Sequence, residues 1–327
     1  MSARGARLQS IWYRPAPPPW SLRALVPVYR ALRAIDLAPY RFGWREPEVL
    51  PVPVIVVGNI SVGGTGKTPL VIALVEALRA RGFSPGVVSR GYGGSARVPQ
   101  LLGDNADPNV VGDEPCLIQR RTRAPVAIGR DRPSAARLLL REKVDVVIAD
   151  DGLQNPSLAR AIEICVIDGE RRFGNGFLLP AGPLREPVER LETVNFRVCN
   201  GGNPATDEVP MQLCGGMAVA VNDATITRPL RDFADTSVHA IAGIGNPERF
   251  FATLRAHRID VIAHLFPDHY AYRPDDLEFV DELPVLMTEK DAIKCAPFAP
   301  GHCWQGPVRA EVPAAFFERL IERLRHG

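Results

Sequence analysis

Residues 52–70 read VPVIVVGNISVGGTGKTPL, and the order of residue types along them decides the fold. Val52, Val54, Ile55, Val56 and Val57 form an apolar, β-branched run of the kind that makes a buried strand. Gly58 breaks the run. A glycine-rich turn follows, carrying Gly63, Gly64 and Gly66, then Lys67 and Thr68. Beyond it, PLVIALVEALRARG reads as an amphipathic helix, with Pro69 in its first turn and Gly82 closing it. Strand, glycine-rich loop, Lys-Thr and helix in that order predict a phosphate-binding loop. The backbone N–H groups along Ser61, Val62, Gly63, Gly64, Thr65, Gly66, Lys67 and Thr68 would converge on phosphate oxygens, helped by the helix dipole. Lys67 is expected to reach the β- and γ-phosphates of a nucleoside triphosphate, and the Thr68 hydroxyl to ligate Mg²⁺. The usual pattern has glycine where this chain has Ser61; here the glycines crowd beside the lysine instead. An ordinary glycine-rich strand–helix turn is the alternative.

A second stretch supports the nucleotide reading. In VDVVIADDGLQN (144–155) an apolar strand runs directly into Asp150 and Asp151. A hard carboxylate at the end of a strand is what a Mg²⁺–nucleotide site needs opposite the loop. Asp pairs also start turns by themselves.

Working outward, the chain alternates strands and helices. The 87–94 region ends a short strand (Val87, Val88) in Arg90, Gly91, Tyr92, Gly93 and Gly94. Ligands of open α/β sheets bind at carboxyl ends of strands, so Arg90 and Tyr92 are candidate substrate contacts; a surface loop is the alternative. A helix starts near Asp113 or Glu114, where an acid is also what capping asks for. Arg130 and Arg132 precede another helix and would face phosphates or solvent. RRFGNGFLLPAGPLREP (171–187) is too long for a mere connector and reads as functional, with Arg185 and Glu186 at its end. A polar, proline-punctuated stretch near 203–212 suggests a domain boundary. Beyond it come strands in VHAIAGI and IDVIAHLF, an Asn246–Pro247 helix start, a strand and turn in PVLMTEKDAIKC, and a closing strand and helix. The fold class is α/β: a mostly parallel sheet of the P-loop NTPase type covered on both faces, with a smaller α/β domain appended.

Composition bounds the class. The chain has 327 residues, 46% apolar and 23% charged, as soluble globular proteins do. Its 31 prolines punctuate many turns. Six cysteines, none in a C-x-x-C pair, read as small buried hydrophobes, not as a disulfide frame or a zinc site. No run is long enough to cross a membrane, and prolines at 15, 17, 18 and 19 interrupt any signal-peptide core. Net charge is +2, yet residues 1–45 hold eight arginines and one acid, Asp36. That imbalance points to an anionic partner. Residues 1–19 read as extended. Residues 21–37 repeat apolar positions at helical spacing (Leu22, Leu25, Val26, Tyr29, Leu32, Ile35), with Ser21 as a cap, Pro27 as a kink and Arg33 near the stripe, where it would have to snorkel. Such a helix either packs on the core or lies on an anionic membrane face.

The site does not by itself name a reaction. The Asn-Lys-x-Asp base signature of GTPases is absent; Thr288-Glu289-Lys290-Asp291 has its lysine elsewhere. Partitioning-type regulatory ATPases share the GGTGKT ending but carry a lysine where this chain has Val62. A membrane-associated regulatory ATPase therefore stays open beside an enzyme.

Taken together, GNISVGGTGKTP, SRGYGG, VGDEP, ADDGLQ, LPAGPLREP, AGIGNPERFF, FPDHYAY and MTEKDAIKC, in this order, resemble the tetraacyldisaccharide 4′-kinase family of lipid A biosynthesis. The resemblance runs from about residue 10 to 295. It implies ATP-dependent phosphorylation of the 4′-hydroxyl of a tetraacyl glucosamine disaccharide 1-phosphate, with ATP and Mg²⁺ as cofactors. It implies a peripheral protein on the cytoplasmic face of the inner membrane, whose partner is an anionic glycolipid, with neither nucleic acid nor a protein partner. By motif, Lys67 and Thr68 would contact phosphate and Mg²⁺, and Asp150 and Asp151 would be the metal-side carboxylates. Asp113 would be general base, supported by His269, and Arg185 and Glu186 would face the substrate or metal. The expected domains are a membrane-associating segment 1–37, a nucleotide-binding kinase domain 38–210 and a smaller domain 211–327 that closes the cleft.

Overall fold

The computed structural model describes residues 3–326. Three helices come first: α1 (Ala3–Trp12), α2 (Trp20–Arg23) and α3 (Val26–Arg41). The extended segment expected before residue 20 is therefore largely helical, because the prolines begin only at Pro15. Ser21 lies inside α2 and caps nothing; α2 follows Pro19. Pro27 does not kink α3 but opens it, at a position where a missing N–H costs no hydrogen bond.

The first lobe is a nine-stranded sheet. Its strands are β1 (Val54–Gly58), β2 (Pro85–Ser89), β3 (Gln100–Leu101), β4 (Val126–Ile128), β5 (Val146–Asp150), β6 (Ile162–Asp168), β7 (Phe196–Asn200) and β8 (Val209–Cys214), completed by the strand Arg309–Glu311 near the C-terminus. Strands β1, β2 and β4–β8 run parallel; β3 is antiparallel to β4 at one edge. β1 lies centrally between β5 and β6, so it is buried throughout and reads as an unbroken apolar run. Helices α4 (Lys67–Arg79), α5 (Pro108–Val111), α6 (Asp113–Thr122) and α7 (Arg132–Leu140) connect the strands. One apolar cluster joins Ile55 and Val57 to α4; a second, through Val54 and Val56, joins the opposite face to α7. Alternate residues of β1 thus anchor both layers. Gly82, at φ +87, ends α4: its N–H donates to Arg79 O at 3.0 Å and that of Phe83 to Leu78 O at 3.1 Å, the two bonds of a left-handed helix stop.

The second lobe is a six-stranded sheet: β9 (Met217–Ala220), β10 (Thr227–Pro229), β11 (Ser237–Ala242), β12 (Asp260–Leu265), β13 (Val285–Thr288) and β14 (Cys303–Gly306), in the order β10-β9-β14-β13-β11-β12. Helices α8 (Pro247–Ala256) and α9 (Glu289–Cys295) pack on it. Where a turn was expected after β13, Thr288 caps α9 by accepting from Asp291 N–H. Asn246 stands at the start of α8 but makes no side-chain cap bond.

The chain then returns. β15 (Arg309–Glu311) pairs antiparallel with β8, and α10 (Ala314–His326) lays Phe316, Leu320 and Ile321 into the first lobe's core. The cut expected at residue 210 falls inside β8; the polar stretch behind it is only the loop joining β7 to β8. By sheet membership the second lobe occupies 217–306, between two neighbouring strands of the first. None of the six cysteines is in a disulfide. Among the described residues no helix is long and apolar enough to cross a membrane.

Candidate active site

The phosphate loop leaves β1 at Gly58 and enters α4 at Lys67. Gly63 (φ +113) and Gly66 (φ +94) turn it through conformations that disfavour other residues. Gly66 is also a close approach: a Cβ there would sit 2.3 Å from Asn200 Nδ2, which donates to Thr65 O at 2.9 Å. Ser61, Thr65 and Thr68 are buried. The 171–187 segment braces the loop. Val62 N–H donates to Pro183 O at 2.8 Å, and Arg171 Nη2 to Gly64 O at 2.9 Å. The second lobe closes in as well, since a Cβ on Gly245 would meet Gly64 N at 2.7 Å.

Lys67 Nζ lies between Asn59 Oδ1 (3.4 Å) and Asp151 Oδ1 (3.5 Å). Asp151, at φ +49, turns away from β5 and meets Arg185 Nη1 at 3.1 Å. Arg185 also donates to Gln154 Oε1 at 3.2 Å, and Gln154 Nε2 to Glu186 Oε1 at 2.7 Å. Asp150, the last residue of β5, is buried. Its Oδ2 accepts from Ser89 Oγ at 3.3 Å, its backbone carbonyl accepts from Arg132 Nη1 at 2.9 Å, and its Oδ1 has no hydrogen-bond partner. Adjacent carboxyls are thereby driven apart. Burial, then the charges of Glu114 and Asp151, push Asp150 up to about 7. Burial acts on Asp151 too, but Lys67 and Arg185 outweigh it and hold that carboxyl well below the usual range.

Asp113 opens α6. It is buried, and its two carboxylate oxygens each lie 3.1 Å from His269 Nδ1. An ionised carboxylate only accepts, so Nδ1 carries the proton. The His269 ring meets Tyr92 edge-on at 4.9 Å. From α9, Lys294 Nζ sits 3.7 Å from Asp113 Oδ2 and 3.5 Å from Asp291 Oδ1, while Lys290 pairs with Glu114. Burial would raise Asp113, but the His269 hydrogen bond and the charges of Lys290 and Lys294 prevail, so it lies well below the usual range. Burial would lower His269; Asp113 overrides it and raises the imidazole.

The sequence-predicted residues therefore fall into two linked groups. Lys67, Asp151, Arg185 and Glu186 form one continuous network. Asp113, His269 and Tyr92 form the other, and Glu114, which feels both Lys290 and Lys67, lies between them. Arg90 is exposed and makes no polar contact with a site residue; its charge acts on buried Arg132. Arg130 is exposed. Sequence reasoning passed over Asn59, Gln154, Arg171, Lys290 and Lys294. The lysines carried a signal, an i, i+4 pair on a helix following a strand; Arg171 carried none.

A P-loop, paired carboxyls at the end of the neighbouring strand and a buried carboxylate–histidine pair across two lobes define the class: a P-loop phosphotransferase. Residues 19–325 match the model of the family LpxK, tetraacyldisaccharide-1-P 4′-kinase. The chain is 49% identical to the tetraacyldisaccharide 4′-kinase of Stenotrophomonas maltophilia, over 99% of this chain and 98% of that one. It is 50% identical to that of Xanthomonas oryzae pv. oryzae, over 99% and 97%. A crystal structure of LpxK from Aquifex aeolicus, solved in complex with ATP, superposes with a TM-score of 0.76 at 26% identity, covering 93% of this chain and 98% of the other. The chain belongs to the tetraacyldisaccharide-1-P 4′-kinase family. It is a kinase of lipid A biosynthesis, not a regulatory ATPase.

Proposed function

We propose that the chain transfers the γ-phosphoryl group of ATP to the 4′-hydroxyl of a tetraacyldisaccharide 1-phosphate, with Asp113 as general base. The observation that carries the base assignment is the Asp113–His269 contact, made between lobes at the start of α6, the helix that packs on α4. In this reading the backbone of residues 61–68 cradles the phosphates, and Lys67 leaves Asp151 to neutralise them. The orphaned Oδ1 of Asp150 suits a hard divalent cation, which takes oxygen ligands of this kind. Thr68, Asp150 and Asp151 would hold Mg²⁺; when bound it neutralises charge on the phosphate oxygens. The acceptor oxygen bonds to the γ-phosphorus, the bond from that phosphorus to the bridging oxygen of ADP breaks, and the hydroxyl proton passes to Asp113. His269 orients the carboxylate. A carboxylate this stabilised is a weak base, which suits a loose transition state in which the proton leaves late. Arg185 and Glu186 lie toward the acceptor, with Tyr92 flanking the base.

The same reading places the protein peripherally on the cytoplasmic face of the inner membrane. Arg33 faces the protein on α3, 3.8 Å from Glu186, and the Tyr29 hydroxyl donates to Arg185 O at 2.9 Å. Leu25, Val28, Leu32 and Ile35 point outward, exposed by 48 to 68%. The apolar repeat is thus divided, with Leu22, Val26 and Tyr29 half-buried and Leu25, Leu32 and Ile35 turned away from the core, and Arg33 has no need to snorkel. Such a face, beside exposed Trp20, Phe42 and Trp44, suits a bilayer interface. The division of labour is a nucleotide lobe, residues 38–214 with 309–326, and a second lobe that closes on it. Transfer of label from γ-labelled ATP to the disaccharide 1-phosphate in mixed micelles tests the reaction; label found only in inorganic phosphate would overturn it.

A further inference from the structure

The carbonyl and the N–H of one trans peptide point in opposite directions, so a group that holds the first aims the second. Three peptides of the phosphate loop are held by their carbonyls. Gly64 O accepts from Arg171 Nη2 at 2.9 Å, Thr65 O from Asn200 Nδ2 at 2.9 Å, and Val62 O from the Tyr13 hydroxyl at 3.5 Å. The N–H groups across those peptides belong to Thr65, Gly66 and Gly63. None of these three N–H groups has a hydrogen-bond acceptor among the described residues. A loop whose carbonyls are taken and whose N–H groups are free is prepared for an anion.

Of the three holders, Arg171 is the most firmly fixed. Its Nε and Nη2 both lie 2.8 Å from Asp168 Oδ2, and Asp168, the last residue of β6, is 2% exposed. Asp168 Oδ1 accepts from the N–H groups of Glu170 at 3.1 Å and Arg171 at 3.0 Å, which sets the turn that carries the arginine. The guanidinium lies over the Tyr13 ring, 5.4 Å from its centre, and Nη1 reaches Gly245 O of the second lobe at 3.5 Å. One planar fork thus runs from the end of a core strand to the phosphate loop and on to the facing lobe. Lysine, with a single nitrogen, cannot span these partners together. We propose that Arg171 is a positioning residue for nucleotide binding: it pins the Gly64–Thr65 peptide so that Thr65 N–H faces the phosphates. Asn200 and Tyr13 act in the same way on Gly66 and Gly63. The proposal rests on the reading that residues 61–68 take the phosphates of ATP. It gives the N-terminal segment a second task, since Tyr13 belongs to it.

Equilibrium binding of ATP with Mg²⁺, in the absence of acceptor, tests it. Arg171→Ala is expected to weaken ATP binding by about 10- to 100-fold, the range of a charge-assisted hydrogen bond, while KM for the acceptor at saturating ATP keeps its wild-type value. Arg171→Lys is expected to fall between wild type and Arg171→Ala, and it supplies the same comparison should the alanine variant not fold. Asp168→Asn keeps an acceptor for the two turn N–H groups and removes the charge that holds the guanidinium. It is expected to weaken the same constant, and to add little when combined with Arg171→Ala, because Asp168 acts through Arg171. Tyr13→Phe is expected to cost less than either. Unchanged ATP affinity in Arg171→Ala with only a lowered Tm overturns the proposal, and so does a loss confined to acceptor KM. Losses that multiply in the double variant overturn the route through Asp168. A wild-type chain that bound no ATP would instead sink the phosphate-loop reading.

Discussion

Asp113 gathers a histidine and a lysine, and both come from the second lobe. Removing a positioned base costs about 10²–10⁴ in rate. Asp113→Asn is therefore expected to lower kcat by that much while leaving ATP affinity, measured by equilibrium binding, nearly unchanged. His269→Ala should cost less, and the double variant less than the product of the two, because the pair acts as a unit. Full activity in Asp113→Asn would remove the base assignment; multiplicative losses would remove the pair. Lys67→Ala should nearly abolish transfer, judged by label incorporation, with Tm little changed, since the polar partners of Lys67 among the described residues are Asn59 and Asp151 of the site itself. The placement of Lys67 and Thr68 at a helix start and of the Asp pair at a strand end was legible because it is written in consecutive residues. Lys294 was not: its role comes from Asp113, 181 positions away in sequence, and only the lobe interface brings the two together.

Helix α3 shows what periodicity can and cannot decide. Its apolar repeat was plain, but the repeat does not say whether it faces protein or bilayer, and the structure divides it, leaving Leu25, Leu32 and Ile35 exposed and Leu22, Val26 and Tyr29 half-buried. The helix is anchored by polar groups instead, through Tyr29 and Arg33. Deleting residues 1–37 is expected to lower binding to anionic vesicles and to impair action on bilayer-embedded acceptor more than on a short-chain soluble analogue. Added salt should weaken vesicle binding of the intact chain, as screening of arginine–headgroup attraction requires. If truncation lowered Tm and left vesicle binding intact, α3 would be a core element. At α9 the sequence misled for a local reason. Thr288 both ends β13 and caps the next helix, so what resembled a turn is a helix start.

At the scale of the molecule, ion pairs cross the lobe interface beside the buried Ile293: His269 with Asp113, Lys290 with Glu114, and Arg121 with Glu289 at 2.6 Å. His269 is raised in the folded chain, so its contribution is complete below the ordinary imidazole value of about 6.5 and fades as pH rises through the raised one. Asp113 is depressed, so its share is present above about 3.9 and is lost only in strong acid. The pair therefore stabilises most between these limits. The Tm deficit of His269→Ala relative to wild type should be larger at pH 6 than at pH 9, by about 2 °C for a contribution near 1 kcal/mol. A deficit that does not vary with pH would mean the imidazole packs without pairing. The alternation of strand and helix was legible along the whole chain, yet the return of β15 and α10 to the first sheet was not, because strand partners distant in sequence leave no local mark.

The two crossings between lobes, 214–217 and 306–309, lie side by side: β8 pairs with β15 below them and β9 with β14 above. At Gly215 they nearly touch, a Cβ there falling 2.9 Å from Pro307 O. A body hung on two adjacent pins has one swing left to it, like a door. Strand pairing on either side of the crossings would resist sliding and twisting, so every point on the second lobe would sweep an arc in proportion to its distance from the pins. His269, Lys290, Lys294 and Gly245 would then leave or meet their partners in a single stroke. The proposed base would be assembled and the phosphate loop backed at the same instant, so a half-closed enzyme would have neither.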